Sequence, residues 1–327
     1  MIVSRAPMRI TLGGGGTDLP SYYAMYGGKL VTASIDKYVY VIANGRYSAD
    51  YHLSYMQTEI AQTVDEIRHT RLREVLRFLG VPPGIDVFSI ADLPTQSGLG
   101  SSGAFTVASL QSLHTYQRSS RTPEQLAAEA CHIEMDVLHE PCGKQDQFAA
   151  ALGGINVLEI ETDGTVHHRP AALSPSTRLV LEANTLLFYT QIHRQASDVL
   201  RPQQEKIASR EDDATARMHK IKALGEVTLE GLESGNPDAF GETLHEHWMM
   251  KRGIHGSMSN SFVDEAYEEA RKQGALGGKL VGAGGGGFLL VYCPGSQRRV
   301  IERLESMGMK LLPFNFEDSG ITMIAQL

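Results

Sequence analysis

Between residues 94 and 104 the chain reads Pro94-Thr95-Gln96-Ser97-Gly98-Leu99-Gly100-Ser101-Ser102-Gly103-Ala104, with three glycines and three serines inside seven residues. Glycine lets the backbone bend tightly and lets a ligand approach the main chain. An apolar run with helical spacing follows at once, and the start of a helix offers unpaired N–H groups and the positive end of its dipole. The stretch therefore predicts a site for an anion, most often a phosphate. In such a site the hydroxyls of Ser101 and Ser102 would reach a phosphate oxygen or its magnesium ion.

The glycine pattern alone leaves the ligand open. Residues 98–103 and 282–287 both fit G-x-G-x-x-G, so an NAD-dependent oxidoreductase is one alternative. Against it, residues 94–97 separate the first match from its strand, and the second match runs into a strand rather than a helix. A Walker A loop is missing, because Gly278-Lys279 is followed by Leu280. A glycine-rich turn before a serine-capped helix, without any ligand, also stays open.

Composition and charge indicate a globular protein of about two domains. The 327 residues are 42% hydrophobic, and the net charge of -8 comes from interspersed acidic and basic side chains, which argues against nucleic acid or an anionic membrane as partner. The three cysteines are far apart, as is typical of free thiols in a reducing compartment. The sequence has no signal-peptide pattern and no apolar stretch near the ~18 residues of a membrane span. We therefore expect a cytoplasmic protein.

Hydrophobic periodicity predicts strands and helices along the whole chain. Strands are expected over residues 30–41 (as a pair), 85–90, 155–160, 166–169, 288–292, 309–316 and 321–327, and residues 1–12 and 179–189 each fit one strand or a pair of strands. Helices are expected after the central loop and over residues 59–79, 122–139, 144–151, 215–250 (split at 235–237), 264–273 and 296–307. The helix from Thr122 begins with a capping box to Gln125 and should bury a stripe formed by Leu126, Ala130, Ile133 and Val137. Pro and Ser cluster at residues 174–175, where we expect a second domain to begin.

Acidic side chains near the glycine-rich stretches suggest chemistry. Gly13 to Gly16 form a loop that suits close approach to a ligand, and Asp18 after it can accept hydrogen bonds from hydroxyls; a flexible surface loop is the alternative. Glu134 lies at the edge of the buried stripe, where a carboxylate must be paired or hold a metal. Hydroxyls with a carboxylate suit Mg²⁺, and a second carboxylate such as Asp146 near a basic group suits a proton acceptor.

Taken together, the three glycine-rich stretches resemble the motifs of the GHMP kinases, the superfamily of galactokinase, homoserine, mevalonate and phosphomevalonate kinases. They run from Ala6 to Asp18, from Pro94 to Ala104 and from Lys279 to Phe288. The resemblance implies an α+β fold with an N-terminal ATP-binding lobe over residues 1–174, similar to domain 2 of ribosomal protein S5. It also implies a ferredoxin-like lobe over residues 175–327. The active site is expected in the cleft between the lobes, with ATP and Mg²⁺ as cofactors.

The galactokinase-like pattern also implies roles for single residues. It places the sugar-kinase arginine on Arg9, an acceptor for a sugar hydroxyl on Asp18 and the catalytic aspartate on Asp146. Mg²⁺ is expected on Ser102 and Glu134. Arg9 would keep Asp146 ionised and stabilise charge on the transferred group. The ATP phosphates are expected along Pro94, Ser97, Gly98, Leu99, Gly100, Ser101, Ser102 and Gly103.

The same motifs suggest the kind of sugar. Where galactokinases carry Glu-His before Thr-Asp, this chain has Gly15-Gly16, which leaves room for a larger or phosphorylated sugar. Residues 35–41, 193–198 and 274–280 resemble the D-glycero-D-manno-heptose 7-phosphate kinases, which phosphorylate the anomeric oxygen to give the 1,7-bisphosphate for nucleotide-activated heptose. A fucokinase- or galactokinase-like kinase of another sugar is one alternative. A non-catalytic protein that senses sugar or ATP is the alternative outside enzymes.

A phosphorylated substrate needs cations near its phosphate. Arg194, Lys251 and Arg252 are the candidates, although Lys251 and Arg252 also fit solvated helix residues. Further substrate contacts are expected from Gly15, Gly16, Thr17, Asp18, Gly284 and Gly285. The expected partner is a small-molecule sugar phosphate, and the expected assembly is a monomer or homodimer.

Overall fold

The computed structural model describes residues 1–94, 97–192, 197–208, 212–254, 256–282 and 284–327. Within these ranges the chain forms two β-sheets and the helices that pack on them, in the α+β class that the sequence predicts. The strands are β1 (Ile2–Gly13), β2 (Gly28–Gly45), β3 (Tyr51–Ser54), β4 (Thr58–Ala61), β5 (Ile85–Ala91), β6 (Ile155–Ile160), β7 (Val166–Pro170), β8 (Thr185–Tyr189), β9 (Gly277–Leu280), β10 (Phe288–Tyr292), β11 (Lys310–Leu311) and β12 (Thr322–Gln326).

The helices alternate with these strands. They are α1 (Pro20–Tyr26), α2 (Thr70–Leu79), α3 (Ser101–Tyr116), α4 (Pro123–Cys131), α5 (Gln145–Leu152), α6 (Pro175–Asn184), α7 (Ser197–Ala208), α8 (Asp212–Glu233), α9 (Asp238–Arg252), α10 (Ser261–Lys272) and α11 (Gln297–Ser306). Short 3₁₀ turns cover Val64–Glu66 and Gly256–Met258, and a π-helical turn covers His132–Val137. In the described ranges no helix is long and apolar enough to cross a lipid bilayer.

The larger sheet runs in the order β12-β1-β2-β5-β3-β4, with β6 and β7 added at β2. The strand pair expected over residues 30–41 is wrong, because β2 is one continuous strand of 18 residues. Its first part pairs with β6 and its last part with β5, while β1 follows it with a register shift between Pro7 and Met8. Arg9 lies opposite Ser34 on β2, and its backbone N–H donates to the carbonyl oxygen of Leu99 at 2.9 Å, just before α3 begins.

One predicted helix and one predicted strand differ from the structure. The helix over residues 59–79 is replaced by β4, a 3₁₀ turn and α2, because the buried carboxylate of Glu59 accepts hydrogen bonds from the backbone N–H groups of Arg68 and His69. The strand over residues 179–189 is instead α6 followed by β8. Ser174 caps α6 by accepting from the N–H of Thr177 at 3.1 Å, and Pro175 suits the first turn of a helix.

The helix from Thr122 begins as predicted, with both hydrogen bonds of the capping box. Its α-helical part ends at Cys131, and the π-helical turn of residues 132–137 carries the chain onward. A π turn holds more residues than an α turn, so it rotates the side chains that follow. Val137 is therefore 41% exposed and leaves the predicted buried stripe, whereas Glu134 is 1% exposed.

The smaller sheet runs in the order β11-β8-β10-β9. α9 packs on β9. The first helix after residue 174 is α6. The chain then returns to its beginning, because β12 pairs antiparallel with β1 in the larger sheet. The last strand thus belongs to the same sheet as the first strand. The start of a second domain at residues 174–175 therefore stays a prediction.

Candidate active site

A cleft of about 1190 Å³ is lined by residues of both sheets and by all three glycine-rich stretches. β1, α3 and α5 supply one part of the lining, and α9 and β9 supply another. Gly15, Gly98 and Gly284 represent the three stretches in it. Motifs that are more than 250 residues apart in sequence therefore share one concave surface.

Arg9 on β1 joins the second glycine-rich stretch to Asp146 on α5. Its Nε and one terminal nitrogen donate to Asp146 Oδ1 at 2.8 and 2.6 Å, and its other terminal nitrogen donates to the carbonyl oxygen of Gly98 at 2.7 Å. The Arg9 side chain is buried, whereas that of Asp146 is 26% exposed. In the described part of the chain no group donates to Asp146 Oδ2, so this oxygen is available to a substrate hydroxyl.

Glycines bring the first turns of α3 and α5 into contact. A Cβ on Gly103 would lie 2.8 Å from Asp146 Cβ, and a Cβ on Gly100 would lie 3.1 Å from Arg9 Cγ. Gly100 is also left-handed, with φ +77°, at the point where α3 begins. The glycines thus place the N-terminus of α3, which attracts anions, directly beside Asp146.

The second and third glycine-rich stretches pack backbone against backbone. A Cβ on Gly98 would lie 2.6 Å from the carbonyl oxygen of Val281, and a Cβ on Gly282 would lie 2.5 Å from the carbonyl oxygen of Gly98. A Cβ on Gly287 would lie 2.4 Å from the carbonyl oxygen of Ser97. These glycines are needed for contact between two loops, which is a different reason from close approach to a ligand.

Glu134 is a buried carboxylate beside the first turn of α3. Its Oε1 accepts from Thr106 Oγ1 at 2.5 Å, and its Oε2 accepts from Gln147 Nε2 at 2.8 Å. The nearest cation is Arg71, whose Nε lies 3.9 Å from Oε1 and whose terminal nitrogen is paired with Glu140. Burial raises the pKa of Glu134 to about 7, against the opposing effect of Arg71. Glu134 lies behind the residues that line the cleft rather than among them.

The oxygen atoms near Glu134 are of the kind that binds a magnesium ion. Ser102 lines the cleft one helical turn before Thr106, and Thr106 Oγ1 bonds both Glu134 and the carbonyl oxygen of Ser102. Gln147 Oε1 is a further buried oxygen, without a partner among the described residues. Mg²⁺ favours such hard oxygens and takes its other ligands from water and substrate phosphates. Among the described residues, no group of three or more His, Cys, Asp or Glu is placed to hold a metal.

Asp18 is held by backbone donors on both carboxylate oxygens. Oδ1 accepts from the N–H of Gly16, and Oδ2 accepts from the N–H of Gln145 at the start of α5, each at 3.1 Å. Burial, and then the charge of Asp146, raises the pKa of Asp18 above its usual value. A Cβ on Gly143 would lie 2.0 Å from Asp18 Oδ2, so the turn before α5 is built around this carboxylate.

The four consecutive glycines before Asp18 serve two purposes. Gly13 and Gly14 pack on other backbone segments, since a Cβ would lie 2.9 Å from Gly225 Cα and 2.2 Å from the carbonyl oxygen of Lys29, respectively. Gly15 and Gly16 line the cleft. Only the second pair therefore agrees with the prediction of a loop that lies against a ligand.

Three basic side chains on α9 and β9 line the cleft, and sequence reasoning found only one of them. From the sequence, Lys251 is a candidate and Lys279 appears only at the start of the third glycine-rich stretch, whereas His247 is not among the predicted site residues. Burial, and then the charge of Arg9, lowers the pKa of Lys251 to about 8. Burial also lowers the pKa values of Lys279 and His247 well below their usual values, and the neighbouring lysine charges add to the effect.

Sequence reasoning also missed an aromatic group near the second glycine-rich stretch. Tyr55, His69 and Phe105 all line the cleft, with ring centroids 4.6 Å apart for Tyr55 and His69 and 5.0 Å apart for His69 and Phe105. Rings at this end of the cleft could stack on a flat heterocycle. Single aromatic residues on β3–β4, α2 and α3 give no pattern in the sequence, so only the fold reveals them.

Not every predicted site residue reaches the cleft. The residues in its lining are Arg9, Gly15, Gly16, Asp18, Pro94, Gly98, Gly100, Ser101, Ser102, Asp146, Lys251 and Gly284. The predicted residues outside the lining are Thr17, Ser97, Leu99, Gly103, Glu134, Arg252 and Gly285. Thr17 is buried and bonds the carbonyl oxygens of Gly14 and Lys29, and Arg252 pairs with Asp264 at 2.9 Å. Arg194 lies outside the described residues.

Family models match both parts of the chain. The model of the GHMP kinases N terminal domain matches residues 62–154, and the model of the GHMP kinases C terminal region matches residues 228–308. The two matches include the second and third glycine-rich stretches but not the first.

Individual proteins resemble the chain along its whole length. A curated D-glycero-alpha-D-manno-heptose 7-phosphate kinase of Campylobacter jejuni is 27% identical, with 98% of each chain covered. The crystal structure of a D-glycero-D-manno-heptose 1-phosphate kinase from Bacteroides thetaiotaomicron superposes with a TM-score of 0.82 at 25% identity, with 100% of each chain covered. The fold alone is shared with Lactococcus lactis galactokinase in complex with galactose, with a TM-score of 0.78 at 18% identity over 99% of this chain and 95% of that one.

Proposed function

The chain belongs to the GHMP kinases and is a sugar kinase phosphotransferase, and from this premise we propose that it acts on D-glycero-D-manno-heptose 7-phosphate. The enzyme would transfer the γ-phosphoryl group of ATP to the anomeric hydroxyl. The product would be the 1,7-bisphosphate, for the synthesis of nucleotide-activated heptose. Three unpaired cysteines and the use of ATP support a cytoplasmic location.

The observation that carries this proposal is the bond network of Arg9. One guanidinium holds Asp146 Oδ1 and the carbonyl oxygen of Gly98 at the same time, with Asp146 beside the N-terminus of α3. An anion-binding helix terminus, a fixed cation and a carboxylate with one available oxygen thus lie together. Phosphoryl transfer depends mainly on positioning and on stabilising charge, and these three groups supply both.

Asp146 and Arg9 have separate tasks in this proposal. Asp146 accepts a hydrogen bond from the anomeric hydroxyl through Oδ2 and holds the attacking oxygen in place, and it takes the proton as transfer proceeds. Arg9 fixes the carboxylate through Oδ1 and stabilises negative charge on the transferred group. Because Arg9 already forms three hydrogen bonds, its guanidinium needs little reorganisation during the reaction.

The ATP phosphates would lie along residues 97–103, with the backbone N–H groups of Ser101 and Ser102 as donors. GHMP kinases use ATP, typically with Mg²⁺, and we propose that Ser102 and Glu134 hold this ion. When bound, the metal neutralises phosphate charge and orients the transferred group. Thr106 and Gln147 keep the Glu134 carboxylate turned toward the first turn of α3. The aromatic rings of Tyr55, His69 and Phe105 would contact the adenine.

The sugar is the least constrained part of the proposal. Gly15 and Gly16 line the cleft near Asp18; a Cβ on Gly15 would lie 2.7 Å from Thr11 Cγ2, so the space for the longer chain of a heptose would lie beside Gly16. The two heptose kinases that resemble this chain differ in the phosphate position given in their names. A fucokinase- or galactokinase-like specificity would need other side chains to contact the sugar hydroxyls in that space.

The test is a coupled ADP-release assay with a sugar panel. Heptose 7-phosphate, the same heptose without phosphate, heptose 1-phosphate, fucose and galactose are compared at equal concentration, and the product is analysed by ³¹P NMR. We expect heptose 7-phosphate to give the highest kcat/KM and a new anomeric phosphate signal. Faster turnover of fucose or galactose would reject the heptose substrate. No ADP release with any sugar would reject the kinase assignment.

A further inference from the structure

α9 and β9 place three basic groups at one point of the cleft. His247 and Lys251 are four residues apart and lie on the same face of α9, and Lys279 comes from β9, on which α9 packs. Lys279 Nζ lies 3.5 Å from His247 Nδ1, and Lys251 Nζ donates to the carbonyl oxygen of Gly282. All three side chains line the cleft, although their exposed fractions are only 3% for His247, 9% for Lys251 and 3% for Lys279.

These cations lack an acidic partner. Among the residues that the structure describes, no carboxylate lies within ion-pair distance of Lys251 or Lys279. Each ammonium group has three N–H bonds, and only one acceptor is found for each. Removing an unpaired charge from water is strongly unfavourable, and buried charges are normally paired. A fold that keeps two such charges in a cleft is suited to an anion that comes from outside the chain.

Two other basic residues near these groups, Arg9 and Arg252, are already engaged. Arg9 is bound to Asp146 and Gly98, and Arg252, next to Lys251, pairs with Asp264 outside the cleft lining. His247 accepts from Lys279 through Nδ1 when its ring is neutral, which leaves Nε2–H as a donor. Two ammonium groups and one imidazole N–H match the oxygens of a phosphate group.

We propose that Lys251, Lys279 and His247 form the subsite for the non-reacting phosphate of the sugar substrate. This inference rests on the proposed function, since it assumes a substrate that carries a phosphate away from the hydroxyl that is phosphorylated. It adds two residues, His247 and Lys279, to those that the sequence indicated. It assigns to these residues an anion other than the ATP phosphates, which we propose to lie at the N-terminus of α3.

The experiment compares heptose 7-phosphate with the same heptose without phosphate, using wild type and the variants Lys279→Met and Lys251→Met. Methionine keeps the length of the aliphatic chain and removes only the charge. We expect each variant to lower kcat/KM for the phosphorylated sugar by about 30-fold or more, as for a lost buried charge contact. Turnover of the unphosphorylated sugar and the KM for ATP should change less than about threefold. Lys220→Met is the control, because Lys220 forms only an exposed pair with Glu246.

Binding is measured separately by calorimetric titration of heptose 7-phosphate without ATP, which should weaken in both variants and not in the control. Thermal unfolding checks that the variants fold, and we expect no loss of Tm when an unpaired buried charge is removed. If wild type acts on heptose 7-phosphate but the variants keep its preference over the unphosphorylated sugar, this subsite is wrong and the proposed function stands. Equal losses of kcat/KM with both sugars would also reject the proposed phosphate subsite. If wild type neither binds nor phosphorylates heptose 7-phosphate, both proposals fail.

Discussion

The three acids around the cleft differ in how their carboxylates are held. Asp18 accepts from backbone N–H groups on both oxygens, and Glu134 accepts from Thr106 and Gln147. Among the residues with described positions, Asp146 accepts only through Oδ1, from Arg9. At the scale of single residues, Asp146 is thus the acid best placed to act on a substrate proton, while Asp18 is best placed to fix the start of α5.

Asp146→Asn should lower kcat by about 10²- to 10⁴-fold and leave the Kd of ATP nearly unchanged. The amide keeps the shape of the side chain, but it cannot take a proton and no longer balances the charge of Arg9. Steady-state turnover and ATP titration measure the two quantities. Asp213→Asn is the control, because Asp213 is exposed and pairs only with Arg217. Turnover within threefold of wild type would remove Asp146 from the mechanism.

Glu134→Gln should raise the Mg²⁺ concentration needed for half-maximal activity by about tenfold or more. Glutamine keeps an acceptor for Thr106 and loses the negative charge that suits a cation. A Mg²⁺ titration of turnover at saturating ATP measures the effect, and thermal unfolding should show no loss of stability, because a buried charge is removed. Glu302→Gln, on the exposed face of α11, is the control. An unchanged Mg²⁺ titration would contradict the role given to Glu134.

At the scale of elements, the contact between the second and third glycine-rich stretches is the feature that joins the two parts of the cleft. Gly98 and Gly282 both have left-handed backbone conformations. A side chain on either glycine would collide with the backbone of the other stretch. The stretch that begins α3 is therefore supported from behind by the loop that follows β9. This support fixes where an anion at the start of α3 lies relative to Lys251 and Lys279.

Gly282→Ala should destabilise the protein and raise the KM for ATP. The new Cβ would lie 2.5 Å from the carbonyl oxygen of Gly98, in addition to the strain of a left-handed alanine. Gly295→Ala is a matched control, because Gly295 has a similar φ of +77° and nothing within 4 Å of its Cβ position. The control should lose about 1–2 kcal/mol of stability and keep its KM. Equal unfolding free energies and KM values for the two variants would show that the loop contact is unimportant.

At the scale of the whole molecule, the cleft has buried basic groups because α9 packs against both β9 and β1. Lys251 is surrounded by Arg9 on β1, Asp18 before α1, His247 on its own helix and Lys279 on β9. Burial is the main cause of its lowered pKa. The positive charge of Lys251 therefore lowers the free energy of unfolding, and the size of this effect depends on pH.

The stability of wild type should rise relative to Lys251→Met between pH 8 and pH 10.5. The pKa of Lys251 is about 8 in the folded protein and 10.5 in its reference state, so the unfolded chain binds more protons in this window. Below pH 8 the buried charge of Lys251 lowers the free energy of unfolding by its full amount. This destabilisation is lost as Lys251 deprotonates in the folded protein, and the free energy of unfolding changes by about 3 kcal/mol. Urea unfolding at pH 7, 8.5 and 10 measures it.

Lys220→Met serves as the control here too, because Lys220 is exposed and should give a constant difference from wild type over the same range. A difference between wild type and Lys251→Met that does not change with pH would show that Lys251 is not a buried, charged lysine.

The sequence by itself determined the local elements and the motifs. The capping box at Thr122, the glycine-rich start of α3 and the strand β10 all follow from contacts within a few residues, so periodicity and turn chemistry predict them. The membership in the GHMP kinases also follows, because three separate motifs occur in the right order. The helix predicted over residues 59–79 is wrong at its start. There the buried carboxylate of Glu59 accepts hydrogen bonds from backbone N–H groups 9 and 10 residues away, and these bonds override the local hydrophobic pattern.

Which side chains meet in the cleft depends on how distant segments of the chain pack together. Arg9 and Asp146 are 137 residues apart in sequence, and His247 and Lys279 are 32 apart, so no local pattern relates the members of either pair. The π-helical turn at residues 132–137 buried Glu134 and exposed Val137, and the packing of α9 on β9 enclosed Lys251 and Lys279. Burial and electrostatic coupling depend on everything that surrounds a group. They therefore arise only when distant segments pack together.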